Sequence, residues 1–253
     1  MTAPPLTLLT GASRGMGLAM ARQLLRSGHE LLCISRKPNG ELTAQAAAAG
    51  LRCEQWPADL GRPDAVAARL ETWLKERGAR DEPASVTLIN NAGVIPEIAP
   101  LEQIAYGQVA DAMRVDLEAP MLLSGAFLRA TTGWRCPRRL LNISSGLGRR
   151  AMASQAVYCA AKAGMDHFSR CVALEQAQQA NGARVCSLAP GVIDTDMQVQ
   201  LRSADASRFP DIGAFQGMKQ QGALSTPDDA AARVLAFLAR PDFGKEPVAD
   251  VRG

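Results

Sequence analysis

A hydroxyl at Ser145, a phenol thirteen residues later at Tyr158 and an amine at Lys162 are the side chains of this chain whose spacing best suits proton transfer. The segment from 154 to 180 reads as a helix, which sets Tyr158 and Lys162 at i and i+4 on one face and brings an ammonium close to the phenol oxygen. A free phenol ionises only near pH 10. A neighbouring positive charge favours its anion and brings ionisation toward the operating range. A phenol so placed protonates an alkoxide or deprotonates an alcohol. The three catalytic candidates therefore need a scaffold that presents a carbonyl or alcohol carbon to them.

The scaffold is read from the start of the chain. Leu6-Thr-Leu-Leu-Thr10 is a short apolar run that ends in Gly11-Ala-Ser13-Arg14-Gly15-Met16-Gly17, after which Leu18, Ala21, Leu24 and Leu25 recur with helical spacing. Strand, glycine turn and helix in that order can hold a pyrophosphate. Glycine permits close backbone approach, and the free N–H groups of a helix start attract anions. The next strand, Glu30 to Ser35, runs into Arg36-Lys37 rather than into an acidic residue. Basic groups at that place suit a ribose 2′-phosphate where an acid would take the 2′-hydroxyl, and Arg14 offers a second guanidinium, so the expected cofactor is NADP(H).

Strands are expected at Leu51–Trp56 and Ser85–Ile89, each ending in polar residues, Asp59-Leu60 and Asn90-Asn91-Ala92-Gly93. Asp59 suits the adenine amino group; Asn90 suits a turn or a cofactor contact. A fifth strand, Arg139–Ser144, leads into Ser145, and a sixth, Ala183–Leu188, is closed by Pro190-Gly191. Strand and helix alternate without a linker or repeat, so residues 1–253 are expected to form one α/β domain with a mostly parallel sheet.

The chain has 253 residues, 47% apolar and 21% charged, with a formal net charge of +3. The basic residues are scattered, which speaks against nucleic acid as a partner. Six cysteines, at 33, 53, 136, 159, 171 and 186, form no C-x-x-C pair and are expected to be reduced and buried. His29 and His167 match no zinc pattern, so no metal is expected. Met1-Thr-Ala-Pro-Pro-Leu6 lacks the features of a secretory signal and no apolar run approaches a membrane span, which sets the expectation of a cytoplasmic protein without a membrane partner.

Gly11-x3-Gly15-x-Gly17, Asn90-Asn-Ala-Gly93, Ser145, Tyr158-x3-Lys162 and Pro190-Gly191, in this order over essentially the whole chain, resemble the short-chain dehydrogenase/reductase family. The resemblance implies a single Rossmann-type doubly wound domain of about seven strands binding a nicotinamide cofactor. Its contacts would be Gly11, Ser13, Arg14, Gly15, Met16, Gly17, Ser35, Arg36, Asp59, Leu60, Asn90, Ala92, Gly93, Tyr158, Lys162, Pro190, Gly191, Val192 and Thr195. It further implies that Ser145 hydrogen-bonds the substrate carbonyl, that Tyr158 transfers the proton, that Lys162 holds the nicotinamide ribose and lowers the phenol's pKa, and that Thr195 meets the carboxamide. The tail, with Pro190–Met197, Lys219–Leu224 and Val248–Val251, is similar to the sepiapterin reductase and benzil reductase branch, which makes Asp250 a candidate substrate anchor. The family commonly has asparagine in the fourth helix, relaying a water to the lysine, where this chain has Asp116 between Val115 and Leu117. A carboxylate accepts but cannot donate as an amide does, so Asp116 joins the catalytic candidates as a departure that alters the proton relay.

The expected reaction is NADPH-dependent reduction of a small ketone, diketone or pterin-like carbonyl. Substrate choice is assigned to a lid from 192 to 224, with Met197, Phe209, Phe215 and Met218 as apolar contacts. A 3-oxoacyl-carrier-protein reductase and an NADP(H)-binding regulatory protein with little catalysis are the alternatives. Small residues along the long helix suggest a homodimer or homotetramer.

Overall fold

The computed structural model describes residues 3–252; Met1, Thr2 and Gly253, the ends of the expected domain, lie outside the described residues. Strands β1 (Leu6–Thr10), β2 (Glu30–Ser35), β3 (Cys53–Pro57), β4 (Val86–Asn90), β5 (Arg138–Ile143), β6 (Arg184–Ala189) and β7 (Val248–Asp250) form one sheet in the order 3-2-1-4-5-6-7. Every pairing is parallel. The expectation of a mostly parallel sheet of about seven strands is thus met and sharpened. β1, β2 and β4 are buried at every position, as strands covered by helices on both faces must be. The edge strand β3 buries only Trp56.

The seventh strand was not legible. Val248–Asp250 pairs Ser187↔Val248 through Ala189↔Asp250 at the sheet edge, where the sequence reading offered only Asp250 as a candidate substrate anchor. Three residues carry too little pattern to mark a strand, and the pairing is supplied by β6.

Helices α1 (Gly15–Arg26), α2 (Gly40–Ala48), α3 (Pro63–Arg80), α4 (Tyr106–Met113), α5 (Ala119–Thr131), α6 (Ala156–Ala177), α7 (Asp196–Arg202), α8 (Ile212–Gln220) and α9 (Pro227–Leu238) complete the architecture. α1 buries Met16, Ala19, Met20 and Leu24 in one stripe. α9 starts where sequence rules place a start: Thr226 accepts from the Asp229 N–H, Pro227 lacks the donor that would be orphaned, and Asp228 and Asp229 face the positive helix end.

Two apolar layers sandwich the sheet. One packs α3 and α5 around Phe127, Leu74 and Trp134; the other packs α1 and α9 around Met20, Leu25 and Val234. On α6, Ala161, Met165 and Val172 are buried and Phe168 and Ala173 pack against the core, whereas Ala156, Ala160, Ala163 and Leu174 are exposed. All six cysteines are free. Cys33, Cys136 and Cys186 are buried, whereas Cys53 and Cys159 are half-buried and Cys171 is exposed, which corrects the expectation of six buried thiols. No helix of the described residues is long and apolar enough to cross a membrane.

α4 and α5 are joined by a π-helical turn, Arg114–Glu118, that carries Asp116. The cause is local. Pro120 has no N–H to return to the Asp116 carbonyl, so the regular i→i−4 ladder cannot continue through it.

Candidate active site

The chain runs outward from β1 in both directions of the sheet, so β1 and β4 flank the switch point where open α/β sheets bind ligands beyond their strand ends. A cleft of about 960 Å³ lies there. At one end it is lined by the glycine turn after β1, at the other by Ser145, Tyr158 and the 192–224 segment.

The glycine turn is shaped by contacts that admit no side chain. Gly11 has φ +71°, and a Cβ there would meet the Ala92 Cα at 2.9 Å; a Cβ on Gly17 would meet the Gly11 carbonyl oxygen at 2.1 Å. Ser35 accepts from the Ala12 N–H at 2.9 Å and pins the turn to β2. Arg14 stands at the N-cap of α1 without a side-chain cap, and no acidic residue occupies the first turn. The leading N–H groups of α1 are therefore uncapped beside the cleft, which fits a bound phosphate. Arg36 lines the same end. Arg14 is also engaged elsewhere: it pairs with Asp196 at 2.5 Å, joining the glycine turn to α7 across the cleft mouth.

At the chemical end, Ser145 follows β5 on a single 3₁₀ turn, Gly146–Gly148, and its hydroxyl accepts from the Leu147 N–H at 3.2 Å. Tyr158 and Lys162 lie one turn apart on α6, with Nζ 5.5 Å from the phenol ring centre. Both are buried. Nζ donates to the Ile143 carbonyl at 3.2 Å.

Burial pushes the Tyr158 phenol above its ordinary value. Lys162 opposes this, Asp116 reinforces it, and the Ser145 hydroxyl opposes it. Lys162 pulls the phenol down as expected, but desolvation of the phenolate outweighs one ammonium, so the net direction is upward. The Asp116 carboxyl is itself raised by burial, against the pull of Lys162 and the Val94 N–H.

The residues expected at the cofactor line this cleft with one exception. Gly11, Ser13, Arg14, Gly15, Met16, Gly17, Ser35, Arg36, Asp59, Leu60, Ala92, Gly93, Tyr158, Lys162, Pro190, Gly191, Val192 and Thr195 all do. Asn90 does not. Its side chain turns into the core and donates to Asn142 Oδ1 at 2.8 Å and Ser124 Oγ at 3.1 Å. The neighbouring Asn91, which sequence reasoning passed over, faces the cleft and donates to the Thr10 and Gly11 carbonyls at 2.9 and 3.3 Å, tying the end of β4 to the glycine turn. The end of β4 was the signal: Asn90 is its last, buried residue, whereas Asn91 is the first residue beyond it, at the strand end where ligands bind.

Asp116 has no surface exposure and does not line the cleft; Oδ1 accepts from the Val94 N–H at 2.9 Å and Oδ2 has no partner. Asp250 faces Arg252 at 2.7 Å, and it is Arg252 that lines the cleft. Arg252 lowers the Asp250 carboxyl below its usual range.

Met197, Phe215 and Met218 line the substrate end, while Phe209 is buried behind them against Phe215, Ile98 and Leu201. Among the described residues no group of three His, Cys, Asp or Glu side chains is disposed to hold a metal.

One cleft joins an uncapped helix start over a glycine turn to a half-buried hydroxyl and to a buried phenol and amine, an arrangement suited to proton exchange. Comparison with known proteins agrees. The family model described as short chain dehydrogenase matches residues 6–206. The benzil reductase ((S)-benzoin forming) of Bacillus cereus is 34% identical over 239 residues, 93% of this chain and 94% of that protein. Sepiapterin reductase of Xenopus tropicalis is 31% identical over 252 residues, covering 92% and 90%. The crystal structure of a metagenomic short-chain oxidoreductase in complex with NADP superimposes with a TM-score of 0.71 at 28% identity, covering 98% of this chain and 95% of that one. The chain belongs to the short-chain dehydrogenase/reductase family of oxidoreductases.

Proposed function

We propose that this protein reduces a small, largely apolar ketone, diketone or pterin-like carbonyl to the alcohol with NADPH. The observation that carries this reading is Tyr158: a buried phenol, one turn from Lys162, lining the same cleft that presents an uncapped helix start and Arg36. NADPH supplies the hydride when bound there.

The chain's residues do the rest. Gly11 to Gly17 and Asn91 form the bed for a pyrophosphate, and Arg36 is the guanidinium free to meet a 2′-phosphate. Ser145 donates to the substrate carbonyl oxygen and polarises it. Tyr158 gives its proton to the same oxygen as negative charge develops, and Lys162, fixed by the Ile143 carbonyl, stabilises the phenolate left behind. Alcohol oxidation is the same path reversed, and the ratio of reduced to oxidised cofactor sets the direction. Met197, Leu201, Phe215 and Met218 exclude water from the substrate end and favour an aromatic or uncharged body.

The test is NADPH oxidation with a panel of diketones, pterins and acetoacetyl thioesters. Tyr158→Phe should lower turnover by about 10²–10⁴-fold, the usual worth of a positioned acid, with NADPH binding nearly intact. Unchanged turnover in the variant, or none with any carbonyl in the wild type despite tight NADPH binding, would overturn the reading.

A further inference from the structure

Asp166 and Arg149 belong to none of the roles above, yet they sit against all of them. Asp166 lies on α6 four residues beyond Lys162 and eight beyond Tyr158, hence on the same helix face, and is 1% exposed. Its two oxygens are fully committed. Oδ1 accepts from Ser187 Oγ on β6 at 2.7 Å, and Oδ2 accepts from Arg149 Nε at 3.2 Å. Arg149 is the residue that ends the Gly146–Gly148 turn, the turn that Ser145 begins. Its other arm, Nη2, donates to the Ala249 carbonyl on β7 at 3.0 Å. One guanidinium thus joins the serine-bearing turn, the helix bearing Tyr158 and Lys162, and the last strand.

The turn rides directly on that helix. A Cβ on Gly148 would stand 2.9 Å from Asp166 Oδ2 and 3.0 Å from the Lys162 carbonyl oxygen, so glycine is what allows the contact. A single 3₁₀ turn closed by the Ser145 hydroxyl on the Leu147 N–H has little rigidity of its own. Burying a carboxylate is costly, and an ion pair there is a poor source of net stability; such a pair is better suited to selecting one arrangement of the parts it joins.

We propose that Arg149 and Asp166 are positioning residues for Ser145: their ion pair seats the serine turn on α6 and thereby sets the distance between the Ser145 hydroxyl and the Tyr158 phenol. The proposal rests on the reading that these two groups act on one carbonyl oxygen. A guanidinium is needed because its planar fork serves the carboxylate and the Ala249 carbonyl together, which a lysine ammonium cannot do at both places.

The test is a double-mutant cycle on the full-length protein, combining Asp166→Asn with Ser145→Ala. Asp166→Asn should lower kcat by roughly 10–100-fold, the scale of a misplaced reacting group, with NADPH Kd within about twofold of wild type. In the Ser145→Ala background the same substitution should cost less than about threefold, because the serine it places is already gone. Arg149→Lys should lose kcat in the same Ser145-dependent way, and because Arg149 is one-third exposed it carries the test if Asp166→Asn fails to fold. A merely structural pair would lower Tm while leaving kcat of the folded enzyme unchanged, or would lower kcat equally in both backgrounds. Either result overturns the proposal. Tyr158→Phe is run alongside: if it keeps full turnover, the catalytic reading fails, whereas loss there with no Ser145 dependence in the cycle condemns only the positioning role.

Discussion

Phe209→Ala is the substitution that most directly tests how the substrate end is built. Phe209 is 0% exposed, and its ring centre lies 5.5 Å from that of Phe215 at an interplanar angle of 35°. α7 and α8, with seven and nine residues, are too short to hold helical structure alone, so the lid depends on the cluster of Ile98, Leu201, Phe209 and Phe215. Among the polar ties that assist it are Arg208 to Glu97 at 2.6 Å, Ser154 to the Arg208 carbonyl at 2.5 Å, Lys219 to Asp194 at 2.6 Å and Arg14 to Asp196 at 2.5 Å. Surface ion pairs are worth about 0–1 kcal/mol each, and a hydrogen bond such as that of Ser154 about 0.5–1.5 kcal/mol. Truncating a buried phenylalanine costs about 3–5 kcal/mol, which exceeds what any one of those ties can hold. The lid cluster shares no buried residue with the two layers on the sheet. The variant should therefore open locally while the sheet stays folded. We expect KM for the carbonyl substrate to rise by roughly 10–100-fold, NADPH affinity to change far less, and protease to cut between 203 and 211 where wild type resists. Steady-state kinetics, NADPH fluorescence titration and limited proteolysis read these separately. Unchanged KM with an unchanged cleavage pattern would refute the argument, as would a fall in NADPH affinity that matched the loss of substrate.

Gly17→Ala should weaken NADPH binding by about 100-fold while circular dichroism stays native, since the new methyl meets a backbone carbonyl at 2.1 Å and the turn must shift by about an ångström; near-wild-type affinity would show that the turn does not hold the cofactor. Arg36→Ala should cut kcat/KM for NADPH by about 10–100-fold and leave NADH use unaltered, because only the 2′-phosphate is lost; equal losses with both cofactors would remove Arg36 from that role. Asp116→Asn deletes a negative charge that helps hold the Tyr158 phenol up, so the phenolate should form at lower pH. Alcohol oxidation, which needs the phenolate, should then rise at lower pH than in wild type, and carbonyl reduction should decline at lower pH on the alkaline side. A pH profile that stays put or moves upward would mean that Asp116 carries no charge where Tyr158 titrates.

Much of the fold was legible because its signals are local. A buried parallel strand reads as an apolar run, and β1, β2 and the starts of α1 and α9 are marked by glycine, proline and capping residues next to the segments they bound. The spacing of Tyr158 and Lys162 is likewise a property of one helix, and Gly11-x3-Gly15-x-Gly17 of one turn. Those residues, and with them the family and the reaction class, follow from the sequence alone.

What the tertiary structure decided is which groups meet across long separations, and what each environment does to charge. Asn90 and Asn91 are equivalent as text, but β4 turns one toward Asn142 and the other toward the glycine turn. Asp250 reads as a free acid near the cleft until Arg252 folds back onto it and takes its place in the lining. Lys162 beside Tyr158 promises an easily ionised phenol; the depth of the site reverses the direction, because desolvation depends on everything packed around the ring and no spacing rule carries it. The tie from Asp166 through Arg149 to Ala249 spans 83 residues of chain between its outer members and exists only once three elements have packed.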